Sequence, residues 1–176
     1  MKKIFAGVHT MIDIETMSTN PNATIIQLAA AKFSLERGIF DEFIINIDPN
    51  DCKQYNCDIS KETLLWWKDK PLEIRKSLFT NQKSLREAIE SFTAWYGVNS
   101  NLIWCNGGSF DFPVMSWAYI ELGIERPWKY WNEMDLRTLS TFFDYRLPKS
   151  GTTHNALDDT KHQINHILKL MKSLSE

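Results

Sequence analysis

The order of the apolar segments along the chain restricts its fold more than any other feature. Three segments of strand length come first, Val8 to Ile14, Ile25 to Leu35 and Ile39 to Ile47, and only the residues 36–38 separate the last two. A connection this short joins antiparallel neighbours, so the second and third segments predict a β-hairpin. The short apolar segment Leu102 to Cys105 predicts one further strand, buried in the interior.

Helix start and stop signals follow in the rest of the chain. Ser84 and Glu87 have the spacing of a capping box, which predicts a helix that ends at Gly97. The other expected helices are Phe112 to Leu122, Asp135 to Tyr145, His154 to Leu174 and two short ones that begin at Ser60 and Pro71. Residues 48–58 and 146–153 are expected to be loops. The three strands come first, and helices alternate with a strand in the rest of the chain. This order predicts an α/β fold, with a mixed β-sheet flanked by helices.

The composition is that of a globular protein and limits its location and partners. The 176 residues, 43% of them hydrophobic, are expected to form one domain with a single core. No apolar run approaches the roughly 20 residues that cross a bilayer, and Ile4 to Val8 is too short for a signal peptide. We therefore expect a cytoplasmic protein without a membrane partner. A net charge of −2 argues against binding nucleic acid through bulk charge, but allows an enzyme that holds a few phosphates through metal ions.

Two acidic residues stand at the end of the first predicted strand. Because strand side chains alternate, Asp13 and Glu15 share one face and Ile14 points to the other. Two carboxylates side by side repel each other, and divalent cations offset that repulsion directly. The alternative is a pair of solvated acids at an exposed strand end, because Asp-x-Glu alone is a common pattern.

A third acid follows the predicted strand Leu102 to Cys105. Asp111 comes shortly after Gly107 and Gly108, and glycines there allow the backbone to turn sharply or to approach a ligand. Open α/β sheets place their sites where strands end and helices begin. The alternative is that Asp111 only caps the following helix, whose first turn contains Pro113.

The last motif opens the C-terminal helix. His154 follows the small residues 150–153, and Asp158 and Asp159 come shortly after it. Consecutive residues lie about 100° apart around a helix, so the two acids cannot both face one site. Solvated acids at a helix start are the alternative interpretation, since that position favours negative charge.

Together, four acids and one histidine occur in the order acid-x-acid, Phe-acid and His-x-x-x-x-acid. In this order the chain resembles the DEDD superfamily of 3′–5′ exonucleases, in the branch with a histidine in the last motif (DEDDh). Tyrosine-type members carry a tyrosine four residues before the last acid, where this chain has Asn155. His154 lies five residues before Asp159, as in the histidine type. The resemblance covers nearly the whole chain and implies a ribonuclease-H-like fold.

The resemblance also implies a mechanism. It implies two Mg²⁺ or Mn²⁺ ions, about 3.5–4 Å apart, that assist the attacking and the leaving oxygen of phosphodiester hydrolysis. Asp13 is then expected to bridge both ions, with Glu15 and Asp159 completing the site of the ion that activates water. Asp111 is expected to support the second ion, partly through water. His154 is expected to take the proton from the attacking water, and the product is a nucleoside 5′-monophosphate.

Substrate contacts are expected beside the acids. Through the adjacent tryptophans Trp66 and Trp67, the chain resembles the exonucleases of large phages, exonuclease VIII and the mycobacterial exoribonuclease group. These tryptophans either stack on bases of the substrate or belong to the core. Phe110 adjoins the site, and the backbone at Thr16 and Met17 is expected to contact the terminal sugar. The expected partner is single-stranded or 3′-overhanging RNA or DNA.

Other functions stay open at this point. A non-catalytic nucleic-acid-binding module on the same fold is one, although retention of all five site residues argues against it. A nucleotide phosphohydrolase or an endonuclease with the same metals is another. The sequence does not distinguish RNA from DNA, because no residue that contacts a 2′-hydroxyl is identifiable. A homodimer is compatible with the resemblance, since some relatives dimerise and others do not.

Overall fold

Five strands form one mixed sheet in the computed structural model, which describes residues 6–97, 102–143 and 155–173. The strands are His9–Thr16 (β1), Ile25–Ser34 (β2), Gly38–Asn46 (β3), Leu102–Cys105 (β4) and Glu133–Asp135 (β5), and they lie in the order β3-β2-β1-β4-β5. The helices are Lys61–Lys68 (α1), Leu72–Leu78 (α2), Leu85–Tyr96 (α3), Asp111–Leu122 (α4), Leu136–Ser140 (α5) and Ala156–Ser173 (α6). The predicted α/β fold with a mixed sheet is confirmed.

Strand pairing gathers three strand ends at one edge of the sheet. The predicted hairpin is confirmed, since β2 and β3 pair antiparallel with Leu28 opposite Ile45. Gly38 lies at its turn with φ +67°, a conformation that favours glycine. β1 is antiparallel to β2 and parallel to β4, which in turn is parallel to β5. The carboxyl ends of β1, β4 and β5 therefore lie at the same edge.

Two expectations for the region after residue 132 are wrong. The strand β5 was not predicted, because three residues are too few to show alternation and its pairing with β4 is a long-range contact. The helix expected to begin at Asp135 begins at Leu136, because Asp135 is its N-cap and accepts a hydrogen bond from the N–H of Arg137. This helix ends at Ser140, and residues 144–145 lie outside the described residues.

The expected loop 48–58 also contains one 3-10 turn, Asp51–Tyr55.

Apolar side chains cover both faces of the sheet. One core contains Ile12 and Ile14 of β1 together with the buried sides of α3 and α4. The other contains Met11 of β1 together with Ile164 and Ile167 of α6. The odd-numbered residues of β1 consequently face α6.

Capping determines where the long helices begin and end. Ser84 and Glu87 form both hydrogen bonds of the predicted capping box at the start of α3. Gly123, which has φ +66°, ends α4 in the left-handed conformation that the sequence predicts there.

The last helix begins later than expected. Oδ1 of Asn155 accepts hydrogen bonds from the N–H groups of Leu157 and Asp158, so Asn155 caps α6 and the helix starts at Ala156. His154, where the sequence analysis begins this helix, lies outside the described residues. Within the described ranges, no helix combines the length and the apolar character needed to cross a bilayer.

Candidate active site

Three carboxylates converge at the carboxyl end of β1. Met11, Asp13 and Glu15 share the face that α6 covers, and Met11 is buried beneath the helix while the two acids are only partly buried. Each of Asp13, Glu15 and Asp159 has a carboxylate oxygen that lies within 4.8 Å of the oxygens of the other two. Alternation along β1 and the first turn of α6 thus bring together three of the predicted acids.

Asp111 approaches the same group from the start of α4, the helix that follows β4, and β4 lies next to β1. It is the first residue of α4 and is 6% exposed. Its N–H donates to the carbonyl of Gly107 at 3.1 Å. It is not one of the three acids within 4.8 Å, but its charge acts on both Asp13 and Glu15. Asp111 therefore does more than cap α4: it lies beside the acidic group.

The surroundings of these carboxylates disfavour negative charge. Burial, followed by the charges of Asp111 and Glu15, raises the pKa of Asp13 well above its ordinary value. Burial and the charges of Asp159 and Asp111 raise the pKa of Glu15 to about 8. Burial also raises the pKa of Asp111 to about 7, against neighbouring N–H groups and the charge of Arg137, which lower it. Bound cations relieve both the repulsion and the burial penalty, and carboxylate oxygens are the donors that Mg²⁺ and Mn²⁺ prefer.

Two glutamines that the sequence analysis missed hold these acids in place. Nε2 of Gln163 donates to Oδ1 of Asp13 at 2.8 Å, and Gln163 follows Asp159 by one turn on the same face of α6. The i+4 spacing from Asp159 is the sequence feature that could have identified Gln163 as a residue of this site. Oε1 of Gln27 on β2 accepts from the N–H of Ala156 at 3.0 Å and joins the start of α6 to the sheet. Gln27 gives no sequence signal, because its partner is 129 residues away.

The last predicted motif is only partly within the described structure. Asp159 belongs to the acidic group, as the sequence analysis expects. Asp158, its partly buried neighbour on α6, is not part of that group. His154 lies outside the described residues.

A cleft of about 610 Å³ opens beside Glu15. Its walls come from the end of β1, the segment that follows it, α1 and the residue before α4. The lining residues are Ile14, Glu15, Thr16, Ser18, Thr19, Asn20, Ser60, Glu62, Thr63, Trp66, Trp67 and Phe110. Four of the five residues expected to contact substrate lie here: Thr16, Trp66, Trp67 and Phe110.

Met17, the fifth residue expected to contact substrate, does not line the cleft. Its side chain is buried with Ile26 and Trp67, its N–H donates to the carbonyl of Thr24, and its carbonyl accepts from the N–H of Ser60. Thr16 is therefore better placed than Met17 to contact a sugar from this segment.

The two neighbouring tryptophans have different environments. Trp67 is 6% exposed, packs with Met17 and Leu78, and donates from Nε1 to the carbonyl of Thr16 at 2.8 Å. Trp66 is 42% exposed, and Nζ of Lys70 lies 3.9 Å from the centre of its ring. Trp67 thus belongs to the core and supports Thr16, whereas Trp66 presents its ring at the rim of the cleft.

Alanine substitutions should separate these two roles. Trp66→Ala is expected to raise KM for an oligonucleotide by about 5- to 100-fold with an unchanged melt, because a base stacked on an aromatic ring gains roughly 1–3 kcal/mol. Trp67→Ala is expected to lower the free energy of unfolding by about 3–5 kcal/mol, the usual cost of removing a buried aromatic side chain. Steady-state kinetics and urea denaturation measure the two effects. Trp131→Ala, which removes an exposed tryptophan outside the cleft, is the control. Loss of the cooperative melt in both Trp66→Ala and Trp67→Ala would contradict the division.

The family to which this sequence belongs is one of 3′–5′ exonucleases. The family model described as the 3′–5′ exoribonuclease Rv2179c-like domain matches residues 8–171, and the chain belongs to this family.

Known nucleases are similar to this chain in sequence and structure. It is 28% identical to the exodeoxyribonuclease of Enterobacteria phage T4 over 158 residues, which cover 73% of this chain and 68% of that protein. Its structure is similar to E. coli exonuclease I in complex with a dA16 oligonucleotide (TM-score 0.69, 17% identity), covering 95% of this chain and 41% of that one. It is also similar to the nuclease domain of 3′hExo, a DEDDh family member bound to rAMP (TM-score 0.68, 12% identity), covering 95% of this chain and 92% of that one. At these identities the two structural similarities establish the ribonuclease-H-like fold.

Proposed function

We propose that this chain removes nucleotides one at a time from the 3′ end of single-stranded RNA or DNA and releases nucleoside 5′-monophosphates. The observation that carries the proposal is the group of Asp13, Glu15 and Asp159 oxygens within 4.8 Å of one another, at the edge of a cleft of about 610 Å³. A cleft of this size suits a small ligand such as one nucleotide. With the terminal nucleotide in the cleft, its 5′-phosphate lies at the carboxylates. The bond that a 3′–5′ exonuclease cleaves joins this phosphate to the preceding nucleotide.

The carboxylates are assigned to two divalent ions, Mg²⁺ or Mn²⁺. Asp13 interacts with the charges of both Glu15 and Asp111, so it is the residue suited to bridge the two ions. Glu15 and Asp159 complete one ion site. Asp111, which lies outside the group of three, supports the other, partly through water. When bound, the ions supply positive charge to the attacking and the leaving oxygen of the phosphodiester.

The cleft residues are assigned to the terminal nucleotide. Thr16 lies directly after Glu15 and lines the cleft, and Trp67 holds its carbonyl in place, so Thr16 is assigned to the sugar. Phe110 and Trp66 offer ring faces on which a base of any identity stacks. This arrangement recognises the end of a strand without requiring a particular sequence.

His154 is assigned as the general base and gives a separate prediction. It is adjacent in sequence to Asn155, the N-cap of α6. His154→Ala is expected to lower kcat by about 10²–10⁴-fold, the usual contribution of a positioned general base. KM and the Mg²⁺ concentration for half-maximal activity should stay the same, since the histidine is not a metal ligand. His162→Ala, which removes a histidine within α6, is the control. An unchanged kcat, or a lost response to Mg²⁺, would contradict this role.

The proposed function is tested with 5′-labelled single-stranded RNA and DNA of the same sequence, incubated with Mg²⁺ or Mn²⁺. We expect a ladder that shortens from the 3′ end, release of nucleoside 5′-monophosphates, and no reaction in excess chelator. A circular single strand should stay intact, and its cleavage would instead indicate an endonuclease. Hydrolysis of nucleoside triphosphates without shortening of the strand would indicate a phosphohydrolase, and binding without any product would indicate a binding module. Both nucleic acids are compared because the matching family is named for an exoribonuclease and the phage relative for an exodeoxyribonuclease.

A further inference from the structure

A cationic side chain lies beside Asp111 and outside the cleft. A Cβ atom built at Gly107 would be 3.6 Å from Nη2 of Arg137 and 3.6 Å from Oδ2 of Asp111, so the guanidinium and the carboxylate flank the same glycine. Arg137 acts on Asp111 through its charge. Neither Arg137 nor Asp111 lines the cleft, whereas Glu15 does. Arg137 therefore lies beside Asp111 and outside the lining of the cleft.

The backbone that carries Arg137 is well anchored. Asp135 caps α5 by accepting hydrogen bonds from the N–H of Arg137 at 2.9 Å and from Oγ1 of Thr138 at 2.8 Å. Leu136, the preceding residue, is 2% exposed and belongs to the core beneath α6. The guanidinium is thus held at a defined place on the surface by a short helix that is fixed at its start.

Over the described ranges, the salt bridges of the protein do not include Arg137. An exposed guanidinium, with its fork of N–H donors, is the side chain best suited to bind a phosphate.

We propose that Arg137 binds the phosphate of the substrate strand that lies one nucleotide upstream of the scissile bond. This inference rests on the proposed function. The terminal nucleotide occupies the cleft on the Glu15 side and the scissile phosphate lies at the acids, so the remaining strand leaves on the side of Asp111 and Arg137.

The test pairs a change in the protein with a change in the substrate. The variants are Arg137→Ala, Arg137→Lys and a control, Arg37→Ala, which removes the same charge near the β2–β3 turn at the opposite end of the sheet. The substrates are a single-stranded oligonucleotide, the same strand with one uncharged methylphosphonate at the upstream position, and the p-nitrophenyl ester of thymidine 5′-monophosphate, which has only the scissile phosphate. Values of kcat/KM and thermal melts are measured for each combination.

We expect Arg137→Ala to lower kcat/KM on the normal oligonucleotide by about tenfold or more, as one charge-assisted hydrogen bond does. The methylphosphonate should lower wild-type kcat/KM by a similar factor, and the two changes together should cost no more than either alone. Arg137→Lys should retain part of the activity, and Arg37→Ala should match the wild type. If the two losses in kcat/KM multiplied, the arginine would not act on this phosphate. If Arg137→Ala lost as much kcat/KM on the ester, the arginine would act through Asp111. Either result would overturn the proposal. If the wild-type protein shortens neither oligonucleotide, the proposed function itself fails.

Discussion

Replacing Asp13 by Asn is expected to lower kcat by at least about 10⁴-fold while leaving the fold intact. Asp13 interacts with the charges of Glu15, Asp111 and Asp159, and is therefore the one acid on which both proposed ion sites depend. The expected fall in kcat exceeds the 10²–10³-fold fall that removal of a single stabilising donor typically causes. Asparagine keeps an oxygen that accepts the hydrogen bond from Nε2 of Gln163, so the local structure should persist. Mononucleotide release in saturating Mg²⁺ or Mn²⁺ measures the effect, and near-normal activity would refute the two-metal assignment.

The same substitution should stabilise the metal-free protein. A carboxyl whose pKa is raised by folding binds more protons in the folded than in the unfolded state, so it lowers stability progressively as pH rises above its ordinary value. Asp13 is such a group, because burial and three neighbouring acids raise its pKa. In chelator, the stability advantage of Asp13→Asn should therefore be small near pH 4 and grow toward pH 8, as urea denaturation measures it.

Asp41 provides a matched control of opposite sign. Burial alone would raise the pKa of Asp41, but hydrogen bonds from Trp95 and Lys32, at 3.1 and 3.2 Å, lower it overall. Its charge is thus stabilising, and this contribution is present above the ordinary pKa and lost as pH falls through the lowered one. Asp41→Asn should destabilise the protein at neutral pH without changing catalysis. If both variants changed stability in the same direction, the electrostatic description of the acidic group would be wrong.

The acidic group was predictable because each of its members follows from a local rule. Alternation along a strand places Asp13 and Glu15 on one face, and the position of a strand end identifies Asp111. The turn of a helix shows that Asp158 and Asp159 cannot both face the site, and the family resemblance, through the spacing from His154, selects Asp159. Element type, residue spacing and that resemblance are all available from the sequence.

Other features depend on contacts between distant parts of the chain and were not predictable. The strand β5 exists because it pairs with β4, and the start of α6 is joined to the sheet through Gln27. Trp66 and Trp67 are adjacent on α1 and point in different directions, but only the packing of α1 against Met17 and Leu78 determines which of them is buried. The position of Arg137 beside Asp111 likewise follows from the pairing of β4 with β5.

Asp159→Asn is expected to lower kcat by about 10³-fold or more, whereas Asp158→Asn should retain most of the activity. The two variants remove the same charge from consecutive residues in the first turn of α6, so they change the net charge and the helix start equally. Of the two, only Asp159 contributes a carboxylate oxygen to the group with Asp13 and Glu15, and after burial its charge is the largest cause that raises the pKa of Glu15.

Comparing the pair at several Mg²⁺ concentrations distinguishes a metal ligand from a general electrostatic effect. If Asp159 ligates an ion, its variant should need more Mg²⁺ for half-maximal activity, while Asp158→Asn should follow the wild-type curve. If negative charge at the helix start were what matters, both variants would lose activity by the same factor. Because the two side chains lie about 100° apart around the helix, a loss in Asp158→Asn alone would mean that α6 presents its other face to the acids. The contact from Gln163 to Asp13, on the same face as Asp159, argues against that orientation.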